Sequence, residues 1–366
     1  MTNSAHHRIE DMITRRRFLH DSLLASAGLS LLPATGALGE ALPQDGRVTF
    51  DLHTHPGAFF FKGTPEYLGD DAVLKTVTGM RDAGLTGAFF SLVADAPLIE
   101  RTATGIRPRG MYAAGESPRE YQRQLAILKG LLGTMPAILA TTSSDLARAQ
   151  RERKVAAFLA CEGGEFLDGK PERVDQLYSD GVRSIQLVHY VPNILGDLQT
   201  SAPQHGGLST LGKSVVKRMN AVGMVIDVAH ASFETVRDVV SLTSAPVILS
   251  HSILKIDDSR PIAARTISEE HARLVAKTGG VIGAWPSGFN ASFDEFVDNT
   301  KRLIDVAGIE HVGLGTDMDS NFNPVLGSYA QLAGFATALQ AKGLTQGEVA
   351  QVMGGNMQRV LKKVLG

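Results

Sequence analysis

Eight short apolar runs, each followed in most cases by an amphipathic stretch, constrain this chain of 366 residues more than any other feature. The runs are RVTFDLH (47–53), GAFFSLV (87–93), VAAFLACEG (155–163), VRSIQLVHY (182–190), GMVIDVAH (223–230), PVILSHS (246–252), GVIGAW (280–285) and HVGLGTD (311–317). They are nearly continuous in hydrophobicity, the mark of strands buried on both faces. Between them STLGKSVVKRMNAVG (209–223) opens on a serine and stops at a glycine, with apolar residues at helical spacing. SFETVRDVVSL and SEEHARLVAKTGG repeat that form. Eight strands alternating with helices predict a single α/β domain, a closed (β/α)8 TIM-type barrel spanning 45–366. The structural alternative is a doubly wound open sheet, but no GxGxxG or GxxxxGK follows a strand, which argues against nucleotide binding.

The long connection 94–154 begins rich in Gly, Arg and Pro, and predicts a loop or small subdomain over the barrel mouth, followed by helices. The segments past residue 320 read as closing helices. Composition narrows the function class. A net charge of −2 offers no basic surface for nucleic acid or an anionic membrane. A single cysteine, Cys161, excludes an internal disulfide framework. Residues 1–40 stand apart: TRRRFLH (14–20) precedes a short apolar region broken by Ser, Gly and Pro33, the order of a twin-arginine export signal. That region is too weak to span a membrane. The expectation is a periplasmic or otherwise exported protein, carried already folded and without a membrane span in its mature form.

The strand ends carry the chemistry. The first run closes in His53 and, after Thr54, His55; the side chains at i and i+2 share one face, so one strand offers two imidazoles. The third run ends in Glu162, the fourth in His189, the fifth in His230, the sixth in His251 and the eighth in Asp317. Singly, each has an ordinary structural role open to it: a hydrogen-bonded core histidine, a turn residue, a helix cap. Together they occupy the one rim onto which a (β/α)8 barrel opens all its strand ends, and imidazoles with carboxylates are zinc ligands.

Longer stretches then become informative. FLACEGGEFLD (158–168), GVRSIQLVHY (181–190), GLSTLGKSVVKRMNAVGMVIDVAHAS (207–232), APVILSHS (245–252), ARTISEEHARLV (264–275), HVGLGTDMDS (311–320) and NMQRVLKKV (356–364) resemble the membrane dipeptidase (renal dipeptidase-like) family of the amidohydrolase superfamily. The resemblance implies a (β/α)8 barrel holding two Zn²⁺ ions and hydrolysing dipeptides. By position it implies Glu162 as the shared ligand, His53, His55 and Asp317 on one ion, and His230 and His251 on the other. It implies Asp317 as proton shuttle, His189 as the group polarising the scissile carbonyl or holding the oxyanion, and Arg265 as the holder of the substrate's carboxylate. It also implies a homodimer, common among such proteins. One departure is plain: D-L-H-T-H places His55 where the family's usual motif, of D-G-H-N-D type, carries aspartate. The site thereby loses a negative charge, which weakens the hold on one metal or shifts the acidity of bound water. Two rivals follow: a metal hydrolase of another bond (N-acyl amino acid, ester, lactone or phosphoester), and a non-catalytic exported binding protein on the same barrel.

Overall fold

The computed structural model describes residue 42 and residues 46–102 and 105–366; the export signal expected over 1–40 lies outside them. Strands β1 (Phe50–Thr54) and β2 (Gly87–Val93) are followed by an antiparallel hairpin, β3 (Ile99–Thr102) with β4 (Gly105–Pro108), and by a short strand, β5 (Ala137–Ala140). Then come β6 (Val155–Glu162), β7 (Val182–Gln186), β8 (Val225–Asp227), β9 (Ile248–Ser252), β10 (Val281–Ala284) and β11 (Val312–Leu314). The sheet order β2-β1-β11-β10-β9-β8-β7-β6 closes on itself through a β2–β6 pairing, all of it parallel. The eight sequence runs supply these eight strands, and the molecule is a (β/α)8 barrel. The long connection holds more regular structure than expected. Beside helices Glu116–Leu132 and Ser144–Glu152 it carries the hairpin and β5. β5 pairs with Val155–Phe158, the first half of the β6 edge whose second half pairs with β7.

The apolar runs are continuous because every residue of β2 and β6 is buried, alternately inward and outward. Phe50, Phe89 and Phe158 meet inside the barrel with ring centroids 5.4–6.0 Å apart. Met357, Val360 and Leu361 of the C-terminal helix Asn356–Leu365 complete that inner core. Outward residues such as Phe90, Leu159 and Cys161 pack against the surrounding helices in a second, larger core. The serine caps read from sequence are made: Ser209, Ser232 and Ser268 each accept the amide N–H three residues on, at 3.0–3.2 Å. Among the described residues no helix is long and apolar enough to cross a membrane.

Two irregularities aim the strand ends. From Asp51 to Thr54, β1 advances three residues while β2 advances two, from Ala88 to Phe90. From Leu249 to Ser252, β9 likewise gains a residue on β10, which runs from Ile282 to Ala284. Such bulges switch which side chains face inward. Phe50 and Leu52 fill the inner core, and beyond the bulge His53 and His55 turn inward as well. Close packing of the backbones sets a further demand here. A Cβ on Gly283 or Gly315 would lie 1.8 or 1.9 Å from the Ser250 carbonyl oxygen, so only glycine lets β10 and β11 pass beside Ser250.

Candidate functional site

At the C-terminal rim every predicted ligand comes together. The Glu162 carboxylate is the centre. His53 Nε2, His189 Nε2, His230 Nε2 and His251 Nε2 lie 3.2, 3.3, 3.4 and 3.9 Å from its Oε1, and His55 Nε2 lies 3.3 Å from Oε2. Asp317 Oδ1 is 3.4 Å from His55 Nε2. All seven side chains are buried. Three overlapping trios have ligand atoms within 4.8 Å of one another: His53, His55 and Asp317; His53, Glu162 and His251; and Glu162, His189 and His230. His189 therefore sits as close to Glu162 as His230 does, and distance alone does not set it apart from the ligands. Arg265, on the short turn Ala263–Arg265, is also buried at the site, with Nη2 3.2 Å from His251 Nε2 and Nη1 donating to Gln199.

The backbone bends to make this possible. His230 and Asp317, each a little beyond its strand, adopt left-handed φ values of 65° and 52°. Histidine and aspartate tolerate that region better than most residues, yet it still stores strain of the order of 1 kcal/mol or more per residue, typical of sites whose geometry is over-determined by their surroundings.

The donor set suits divalent cations. His55 Nδ1 lies 3.0 Å from the Ser91 carbonyl, which can only accept, so Nδ1 carries the proton and Nε2 faces the cluster. Ser250 Oγ, 3.0 Å from His251 Nδ1, and Ser91 Oγ, 3.3 Å from His53 Nδ1, steady those two rings. Two pairs of Nε2 atoms then oppose each other at close range, His53 with His55 at 3.0 Å and His230 with His251 at 3.1 Å. Two bare lone pairs would repel at that spacing, so a proton or a cation belongs between the nitrogens of each pair. Burial, with Arg265 and neighbouring imidazoles, holds His230 and His251 well below the usual imidazole range, so they are neutral and able to ligate. Burial would raise Glu162, but the charges of His189 and His53 and hydrogen bonds from His230 and His53 keep it well below the carboxylate range. Burial opposes charge on His55 too, and hydrogen bonds to Asp317 and Glu162 nevertheless push it up to about 10. A field that grips a proton at Nε2 this firmly also favours a cation there.

Several working residues escaped the sequence reading. Asp51 Oδ1 accepts the amides of His53 (3.1 Å) and Thr316 (2.9 Å), tying β1 to the turn that leads to Asp317. Asp227 Oδ1 repeats the device on β8, accepting the amides of Ala229 (2.9 Å) and Ser250 (3.0 Å) just before His230 and His251. Asp95, beyond β2, lies 2.6 Å from His189 Nδ1. Trp285, beyond β10, packs its ring against His251 (centroids 5.3 Å apart), with the Arg265 guanidinium 5.5 Å from the ring centroid. The second and seventh runs end in apolar residues, and only the D-x-H spacing of Asp51 and His53 hinted at such supports.

Comparison with known proteins agrees with this picture. The dipeptidase verJ of Clonostachys rogersoniana is 30% identical over 234 residues, 62% of this chain and 60% of that protein, so the match spans only part of the relative's length. A metallopeptidase from Rhodobacter sphaeroides, solved with a phosphinate mimic of the dipeptide L-Ala-D-Ala, superposes with a TM-score of 0.74 at 18% identity, over 87% of this chain and 99% of that one. The probable dipeptidase PvdM from Pseudomonas aeruginosa gives 0.73 at 20% identity, over 88% and 96%. These structural likenesses establish the shared barrel. The sequence pattern described as membrane dipeptidase (Peptidase family M19) matches residues 70–365, and the chain belongs to that family.

Proposed function

We propose that this protein is a metal-dependent dipeptidase that uses two zinc ions. The observation that carries the reading is the meeting of five imidazole Nε2 atoms and Asp317 around one buried carboxylate, Glu162. His53, His55 and Asp317 would hold one ion and His230 and His251 the other, with Glu162 shared. Bound there, the cations supply Lewis-acid charge and acidify water at neutral pH. The chain's own groups do the rest. Asp317, the most exposed of the cluster, takes the proton of the attacking water and returns it to the leaving amine. His189 has a carboxylate oxygen facing each ring nitrogen, Asp95 at Nδ1 and Glu162 at Nε2. Burial disfavours its charge, but these neighbours raise it above the ordinary imidazole range. It donates from Nε2 to the substrate carbonyl as negative charge develops. Arg265, whose Nε is buried without a partner, offers its planar fork to the substrate's terminal carboxylate. The arginine run at 15–17 supports export before the enzyme acts.

The test is a substrate panel on protein stripped with chelator and reloaded with zinc. Dipeptides should be cleaved only after reloading, and a phosphinate dipeptide mimic should inhibit. Asp317→Asn should keep its fold and most of its metal while turnover drops by roughly 10²–10⁴-fold. Cleavage confined to esters, phosphoesters or N-acyl amino acids, or binding without hydrolysis, would overturn the assignment.

A further inference from the structure

The second strand of the ring delivers a carboxylate that no ligand pattern requires. Asp95 lies two residues past β2 and is wholly buried. Its Oδ2 accepts the backbone amides of Tyr190 and Val191 at 3.1 and 3.0 Å. Those amides follow His189 directly in the chain, so Asp95 grips the backbone carrying the ring as well as the ring itself. An amide N–H can only donate, so these two bonds fix Oδ2 as an acceptor and leave Oδ1 for His189 Nδ1 at 2.6 Å. An Nδ1–H donated from the ring to Oδ1 completes the pairing of this carboxylate. A ring flip would place a carbon against the buried oxygen and leave it unpaired.

We propose that Asp95 is a positioning residue for the reaction: it fixes the ring plane of His189 and takes up its Nδ1–H, so that the second N–H, at Nε2, is the one presented where the substrate carbonyl binds. This rests on the reading of His189 as the group that faces the substrate. The geometry explains why a buried carboxylate belongs at this point. An imidazole free to rotate or to exchange tautomers presents the wrong atom for part of the time, and misplacement by about 1 Å can cost on the order of 10²-fold in rate. A carboxylate behind a histidine is also the arrangement that sets imidazole orientation in other hydrolytic sites. Asp95 makes none of its close contacts with the residues assigned to the metals. Its effect should therefore fall on turnover and leave metal content alone.

The experiment compares zinc-loaded wild type, Asp95→Asn, His189→Gln and the double variant, measuring bound zinc, kcat and KM on a cleaved dipeptide, and urea unfolding. Asp95→Asn should keep its zinc and a KM within a few-fold of wild type, while kcat drops on the order of 10²-fold. In the His189→Gln background the second substitution should cost almost nothing further, because both act through one ring. Independent, multiplicative losses would overturn the proposal, as would an Asp95→Asn enzyme with normal kcat or one whose loss follows its zinc. A fully active His189→Gln enzyme would instead remove the reading of His189, and the proposal with it. If Asp95→Asn fails to fold, the ¹⁵N imidazole spectrum of the unaltered zinc-loaded protein decides the matter. A protonated Nδ1 on His189, identified by its loss in His189→Gln, supports the assignment; a bare Nδ1 refutes it.

Discussion

Removing Asp51 offers a quantitative check on how the site is held. Its carboxylate has two kinds of partner. Oδ1 accepts two backbone amides, those of His53 and Thr316. Oδ2 accepts two hydroxyls, Thr316 Oγ1 and Tyr329 Oη, the latter at 2.7 Å. The hydroxyls have other outlets, since Tyr329 Oη also reaches Thr54 Oγ1 at 3.0 Å and Thr316 Oγ1 lies 3.5 Å from Tyr329 Oη. The amides have none. Asp51→Ala therefore strands two buried N–H groups at about 1–3 kcal/mol each, partly offset because a carboxylate no longer has to be desolvated, for a net loss of about 3 kcal/mol. Asp51→Asn can keep its carbonyl oxygen on the amides and turn its NH₂ toward hydroxyls that reverse to accept, so its cost should be only about 1 kcal/mol. Urea unfolding of the metal-free variants measures both. Zinc titration should show weaker binding in the alanine variant alone, because the freed amides anchor His53 and the approach to Asp317. Equal destabilisation by the two substitutions, or less than about 1 kcal/mol for alanine, would refute the division between amide and hydroxyl partners.

Two further predictions use the same reasoning. Glu165 is half-buried, with its Oε2 buried and unpartnered, and the burial of its carboxyl together with the charge of Asp95 pushes it from 4.5 up to about 8. A folded value above the unfolded one means that its contribution is fully present below the unfolded value and is lost as pH rises through about 8. Glu165→Gln should flatten that decline in unfolding free energy, and an unchanged pH profile would count against a buried neutral carboxyl. His55→Asp restores a carboxylate beside Asp317 and Glu162, so zinc retained after dialysis against a chelator should hold steady or rise; loss of metal would show that this pocket needs the imidazole.

The barrel was legible because burial on both faces leaves a simple trace. Strands such as β6 are apolar at every position until Glu162, and the serine caps at Ser209, Ser232 and Ser268 mark where helices begin. The ligand-type residues were legible because a histidine or carboxylate that closes a fully apolar run is costly to bury unless it has a partner there. The direction in which they point was harder to read. In β1 the apolar face is set by Phe50 and Leu52, and by strict alternation His53 and His55 belong to the opposite face. Only the bulge between Asp51 and Thr54 brings both sets inward, and a one-residue slip in pairing leaves no mark on composition.

The supporting carboxylates were hidden for a different reason. Asp51 and Asp227 are the same residue type as Asp317 and sit on the same rim, yet each commits its carboxylate to the amides of neighbouring strand ends rather than to a cation. Residue type announces the capacity to ligate; whether that capacity is already committed depends on which neighbouring strand supplies an N–H, and that is known only once the ring has closed. Asp95 is the limiting case. Its run, GAFFSLV, ends in valine, and its partner His189 lies 94 positions away. Nothing local marks it as part of the site, and the full burial of a lone carboxylate against a histidine and two amides becomes meaningful only in three dimensions. In this fold the first ring of functional groups is written in the ends of the strands, while the groups that orient them are written in the register between strands.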